Sequence, residues 1–272
     1  MKRLTQFHVK GLMVQNKGGL SFDGRRPDGP FFFPGFSIQS TKNSTMRPIL
    51  IAYLIFLKMA IFGQVSIKIC PIFGEKPLEI DQNQQFPLKN GDTATVTTLK
   101  FYLSNIALFQ AGQRVFLEEN SFHLIDATDG NTLFFTLKNA PADFDELRFD
   151  LGIDSLTSVS GVFGGDLDPT RGMFWTWQSG YIDFKVEGSS RFCPTRKHEF
   201  EFHLGGLGRF DCLQKLALKT GQGRAGELKI GFDARLFFEK IDLRTVHSVM
   251  SPGEDAVKLS AAAAGCFRVL GE

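Results

Sequence analysis

From Val65 onward the chain alternates apolar and polar residues with a period of two, a pattern that builds half-buried strands and little else. In Glu146–Leu151, Leu147, Phe149 and Leu151 alternate with Arg148 and Asp150; in Glu199–Leu204, Phe200, Phe202 and Leu204 share one face. Tyr181–Glu187 places Ile182, Phe184 and Val186 together, and Ala94–Phe109 reads as a long strand with Leu99, Phe101 and Leu103 on one side. Val65–Ile69, Ser121–Asp126, Thr132–Leu137, Leu213–Leu218 and Glu227–Asp233 complete the set. Phenylalanine supports the same class, with 29 copies against 3 Tyr and 2 Trp, because its flat apolar ring suits a half-buried pleated surface.

No alternation of strand with helix appears, so a doubly wound fold is not expected. The one clear helical signal is C-terminal. Ser251-Pro252-Gly253-Glu254 matches a capping box with proline at the first helical position, and an Ala-rich stretch runs to Ala264 before Gly265. Phe237–Val249 reads as a further turn or short helix. The expected fold is all-β: an antiparallel β-sandwich-like single domain with a short C-terminal helix.

The N-terminal region does not share this pattern. Residues 1–45 are rich in Gly, Pro and Phe without period and read as a non-native extension from a wrongly assigned start, or as disorder. Residues 46–64 have the layout of a secretory signal peptide: Arg47, an apolar run from Ile49 to Leu57, and small residues before Gln64. The apolar run is too short, and too soon interrupted by Lys58, for a membrane span. The expectation is a domain over 65–272, secreted or periplasmic, with no stable membrane insertion after signal cleavage.

A net charge of +2 and the lack of any Lys/Arg-rich run give no case for nucleic acid. Of the four cysteines, Cys70 follows Lys68, which spoils a lipoprotein-type signal; Cys193 and Cys212 bracket a strand and could pair in an oxidising compartment, and Cys266 lies near the C-terminus. No Cys-x-x-Cys, Gly-x-Ser-x-Gly, phosphate loop or His-Glu-x-x-His occurs, and no nucleophile–base pair is legible, so the chain reads as a binding protein rather than an enzyme.

Three features remain as candidate chemistry. His203 shares the polar side of its strand with Glu199 and Glu201, and the glycines after it admit a close approach of backbone or ligand. It is either a surface residue or an imidazole metal ligand. His123 is a second, weaker candidate of the same kind. Asp168 to Gly180 holds both tryptophans, Trp175 and Trp177, and an extended Trp-x-Trp would put both indoles on one side, as a core plug or a site. Asp166 and Asp168 are either turn formers or carboxylates for a hard cation.

Five segments in order, Leu99–Leu108, Leu151–Leu156, Leu167-Asp-Pro through Met173-Phe-Trp-Thr-Trp-Gln-Ser-Gly-Tyr181, Lys185–Gly188 and Phe200–Gly206, resemble the MbnP-like (methanobactin-associated) copper-binding family of exported bacterial proteins. The resemblance spans about residues 65–267 and implies a β-sandwich-like protein that binds a copper ion for acquisition or storage. It further implies a site of histidine nitrogens with a tryptophan oxidised to kynurenine, and a di-haem, peroxidase-like (MbnH-type) partner that makes the oxidation. Carried onto this chain, His203 is the leading copper ligand and Trp175 or Trp177 the modified residue. Copper-binding relatives tend to carry further histidine beside the Trp motif, where this chain has Phe174 and Thr176; His123 supplies a second imidazole if its strand lies beside that of His203. The alternative reading is a secreted β-sandwich module whose indoles form an aromatic platform for a glycan or protein, without metal.

Overall fold

The computed structural model describes residues 62–271, apart from 82, 90, 178–179 and 222–225. The start-site and leader expectations fall almost wholly on residues 1–61, outside the described residues. Strand β1 already begins at Phe62, three residues ahead of the expected Val65.

In chain order the strands are β1 (Phe62–Phe73), β2 (Lys76–Pro77), β3 (Phe86–Pro87), β4 (Thr93–Gln110), β5 (Gln113–Leu117), β6 (Phe122–Asp126), β7 (Phe134–Pro141) and β8 (Glu146–Leu151). They continue with β9 (Phe174–Trp175), β10 (Gly180–Tyr181), β11 (Phe184–Ser190), β12 (Glu199–Leu204), β13 (Gln214–Lys219), β14 (Glu227–Asp233), β15 (Ser248–Val249) and β16 (Phe267–Val269). Three short helices intervene: α1 (Ser155–Val159), α2 (Ala234–Phe238) and α3 (Glu254–Ala264).

Two sheets face each other. The larger runs β13-β8-β4-β11-β12-β15, with β3, β5 and β6 also pairing along the long β4. The smaller runs β16-β14-β1-β2, with β7 on β1. Most pairings are antiparallel as expected, but β1 with β14 and β12 with β15 are parallel. The sandwich-like all-β class therefore stands, with mixed rather than purely antiparallel sheets. Alternation predicts strands; it carries no information about the direction of a partner remote in sequence.

Between the sheets lies a phenylalanine-rich core. Phe101 and Phe184 of the large sheet meet Phe232 of the small one at ring distances of 5.3 and 5.6 Å. Phe237 and Phe238 of α2 plug one end against Phe184 and Phe200. Helix α3 buries Ala256, Leu259 and Ala263. Its N-cap is Gly253, in extended backbone, so the expected Ser251 cap is not used. Pro252 instead sits so near Gly206 that a Cβ there would lie 3.1 Å from the proline's own.

The outer face of the large sheet is covered as well. Between β8 and β11 the chain makes an excursion over residues 152–183, through α1, two 3-10 turns and the β9–β10 hairpin. Its Ile153, Leu167, Met173, Trp175, Tyr181 and Ile182 close over Tyr102 and Leu124 of the sheet as a second apolar cluster. Tyr102 donates to the Asp166 carbonyl at 3.0 Å and Tyr181 to the Leu167 carbonyl at 2.9 Å, which ties the excursion down. Asp168 caps a 3-10 turn through Thr170 and so acts as a turn former, while Asp166 accepts from the Leu124 amide of β6 and pins the excursion to the sheet.

Candidate functional site on the outer face of the large sheet

Strand register decides which side chains can meet, because directly opposed residues point to the same side of a sheet. Lys100 of β4, Lys185 of β11 and His203 of β12 form one row across the outer face. The next row is Thr98, Glu187 and Glu201. Lysines placed side by side repel unless each has a counter-charge, and each does: Lys100 pairs with Asp126 at 2.8 Å and Lys185 with Glu187 at 3.2 Å.

His203 belongs to this face but is not the solvent-facing residue its alternation suggests. It is only 8% exposed, while Glu199 and Glu201 remain exposed. Its Nε2–H donates to Glu187 Oε1 at 2.7 Å. Thr98 Oγ1 donates to the other carboxylate oxygen at 2.8 Å. The hydrogen bond from His203, with those from Thr98 and Lys185, holds the Glu187 carboxyl down to about 2 against its partial burial. An ionised acceptor at Nε2 fixes the tautomer and leaves Nδ1 with the lone pair.

The Trp hairpin lies over the same face. Trp175 is buried at 6% exposure and its ring edge would stand 3.2 Å from a Cβ at Gly205, two residues along from His203. Trp177 is 63% exposed, and the two ring centroids are 5.8 Å apart at 46°. The backbone is extended only at Phe174–Trp175 and turns at Thr176–Trp177. The indoles are thus neighbours, one a plug and one a surface residue, rather than a matched pair on a strand. Beneath them Asp183 is buried, accepting from the Ile153 amide at 2.8 Å, and burial pushes its carboxyl well above the usual carboxylate range.

His123 does not join this set. It stands opposite Leu103 on β4, and Leu103 shares the inter-sheet side with Phe101. Its ring stacks on Phe135 of β7 at 3.8 Å and its Nε2–H donates to Glu118 at 2.7 Å. His123 and His203 therefore lie on opposite faces of one sheet and cannot share an ion. His198 is tied to the Cys193 carbonyl through Nδ1, and His247 sits beside Glu201 through its own carbonyl. Among the described residues no group of three or more His, Cys, Asp or Glu side chains could hold a metal ion. All four cysteines are free thiols, so the Cys193–Cys212 pairing is not formed.

Sequence reasoning on candidate ligands passed over Lys185, Glu187, Thr98 and Asp183. The signal was present, since Lys185 and Glu187 occupy the polar side of the β11 alternation as His203 does of β12. What it lacked was the register that sets one strand beside the other.

Among the described residues no helix is long and apolar enough to cross a membrane. No curated protein matches the chain. A solved structure, MbnP from Methylosinus trichosporium, is similar with a TM-score of 0.50 and 14% identity, covering 70% of this chain and 82% of that one, a likeness of fold. The MbnP family model matches residues 62–251, which takes in every strand of the two sheets except β16 as well as the excursion, and by that match the chain belongs to the MbnP family.

Proposed function

We propose that this chain is an exported copper-binding protein, secreted or periplasmic, whose site lies between His203 and the Trp175–Trp177 hairpin. The observation that carries the reading is His203 itself: an imidazole buried on the face that the hairpin covers, its Nε2 engaged by Glu187 and its Nδ1 left to donate. Imidazole suits copper, and an oriented ring loses little freedom on binding.

Tested against the donors present, His203 supplies the one imidazole nitrogen among the described residues of this face. An indole N–H is a donor only and has no lone pair for a metal. Kynurenine, in contrast, carries an aryl amine and a ketone. The reading therefore makes copper binding conditional on oxidation of one of the two tryptophans by a di-haem, peroxidase-like partner, and makes the chain a binding protein rather than an enzyme.

The test combines intact mass spectrometry with a copper titration of protein from its native host and of protein produced without the partner. Modification exchanges one carbon for one oxygen. Host protein carrying that change is expected to bind copper and to lose it on His203→Ala, while unmodified protein binds weakly. Equal copper stoichiometry in wild type and His203→Ala would refute the site.

One observation favours the second reading, a metal-free aromatic platform: Trp177 is exposed beside a buried indole, as a stacking surface for a glycan or protein would be. Ligand capture lost on Trp177→Ala and kept on His203→Ala would establish it.

A further inference from the structure

The outer surface carries a second concavity, built where β4 breaks its ladder. The register with β8 shifts between Ser104 and Ala107, and Asn105 inside that bulge takes a left-handed φ of 52°. Asn120, on the β5–β6 connection facing it, also lies in the left-handed region at 51°. Bulges and left-handed non-glycine residues gather where a strand is re-aimed to present a side chain. Here they open a cleft of about 620 Å³, within the range that encloses one small organic ligand.

Its two walls differ in chemistry. Phe122, Phe163 and Leu167 make one wall apolar. On the other wall Asn105 Nδ2 donates to Asp150 at 2.8 Å, Ser121 Oγ to Glu118 Oε2 at 2.6 Å and Thr157 Oγ1 to Asp154 at 2.6 Å. The carboxamides of Asn105 and Asn120 and Glu118 Oε1 remain to face a ligand, and the Glu118 carboxylate is the one charged group among the described lining residues. Burial opposes ionisation of Glu118, but the bonds from His123 and Ser121 outweigh it and hold the carboxyl below its ordinary value. No Lys, Arg or His is among the described residues that line the cleft. Leu156 and Val159 of α1 and Val162, neighbours in sequence of the lining residues Thr157 and Phe163, are exposed as well, Leu156 at 75%. Such a run of exposed large apolar residues beside a cavity marks a contact surface.

We propose that this cleft binds a small organic cation with an apolar body, an alkyl or aryl amine or guanidine. Its nitrogen donates to Glu118 Oε1 and Asn105 Oδ1 while its body packs on Phe122, Phe163 and Leu167. A carboxylate with no Lys, Arg or His among the described lining residues selects against carboxylates and phosphates, and the cavity volume selects a small molecule over a protein segment. This site is separate from His203 and does not depend on the copper reading.

Isothermal titration of the full chain with phenylbutylamine, phenylbutanol and phenylbutyrate tests it. The amine is expected to bind about tenfold more tightly than the alcohol, with no heat from the acid. Glu118→Gln should abolish the preference for the amine and leave the alcohol's affinity in place, whereas Phe163→Ala should weaken both. Should Gln at 118 unsettle the fold, Asn105→Gly keeps the left-handed backbone, removes Oδ1 and should reduce the amine's advantage severalfold while the charge of Glu118 remains. Equal affinity for all three probes, no binding by any of them, or an amine preference undiminished by Glu118→Gln or, where that variant does not fold, by Asn105→Gly overturns the proposal.

Discussion

Glu187 binds three donors, and its removal should show in how stability depends on pH. The folded carboxyl sits at about 2 where an ordinary glutamate titrates at 4.5. A depressed carboxyl stabilises the folded state above the unfolded value and loses that contribution as pH falls through the folded one, so the window runs from above 4.5 down to about 2. Counted in full, the difference would be worth about 3 kcal/mol. The side chain keeps 27% of its surface in water, and screening there reduces the expectation to about 1–2 kcal/mol. The assay is urea unfolding of wild type and Glu187→Gln across the acid range. Wild type should lose about 1–2 kcal/mol more than the variant on acidification, since Gln cannot titrate but keeps an acceptor for His203 and Thr98. A gap between the two that stays constant from neutral pH into strong acid would refute the reasoning.

Three further outcomes follow from the packing. A Cβ at Gly188 would lie 1.9 Å from the Thr95 carbonyl oxygen, beside the β11 bulge, so Gly188→Ala should lower stability by about 3 kcal/mol or more in a thermal melt. Trp175→Ala should cost about 3 kcal/mol and Trp177→Ala less than about 1, read by denaturant unfolding, because only the first indole is buried. With an alkylating reagent under native conditions, Cys70, half-buried on β1, should label first. Burial raises Cys193 to about 11 and both Cys212 and Cys266 to about 12, and these should label only on unfolding, as followed by mass spectrometry.

Strand positions were legible where alternation was strong: β8, β12 and β14 run over Glu146–Leu151, Glu199–Leu204 and Glu227–Asp233 as the pattern predicts. Local patterning could not reveal that β1 lies parallel to β14, because that pairing joins segments remote in sequence and depends on what the intervening chain builds. For the same reason alternation assigned His203 to the polar side but not to its environment. It separates the two faces of a strand; only the excursion over residues 152–183 turns the outer face into a covered one. An extended Trp-x-Trp would put both indoles on one side, yet the backbone turns at Thr176, and the two indoles meet at an angle. His123 failed as a partner twice over: its side chain takes the other face of the sheet, and β4 and β11 lie between β6 and the His203 strand, which puts the two histidines about three strand spacings apart.

The row Lys100, Lys185, His203 carries a consequence for any cation that approaches the imidazole. Lys100 has its own counter-ion in Asp126, and among the described residues Glu187 is the carboxylate that pairs with Lys185 while it also orients His203. Removing the carboxylate should therefore cost in two ways, through the lost hydrogen bonds and through an ammonium left unpaired beside the ring. Lys185→Met separates them, since it deletes the charge and keeps much of the apolar stem on a side chain that is 17% exposed. In a double-mutant cycle at neutral pH, Glu187→Gln should destabilise by about 0.5–1 kcal/mol less in the Lys185→Met background than in wild type. Additive costs would mean that Lys185 takes its counter-charge from solvent. Glu187 would then be tied to the face through His203 and Thr98, and the electrostatic role assigned to it here would fall.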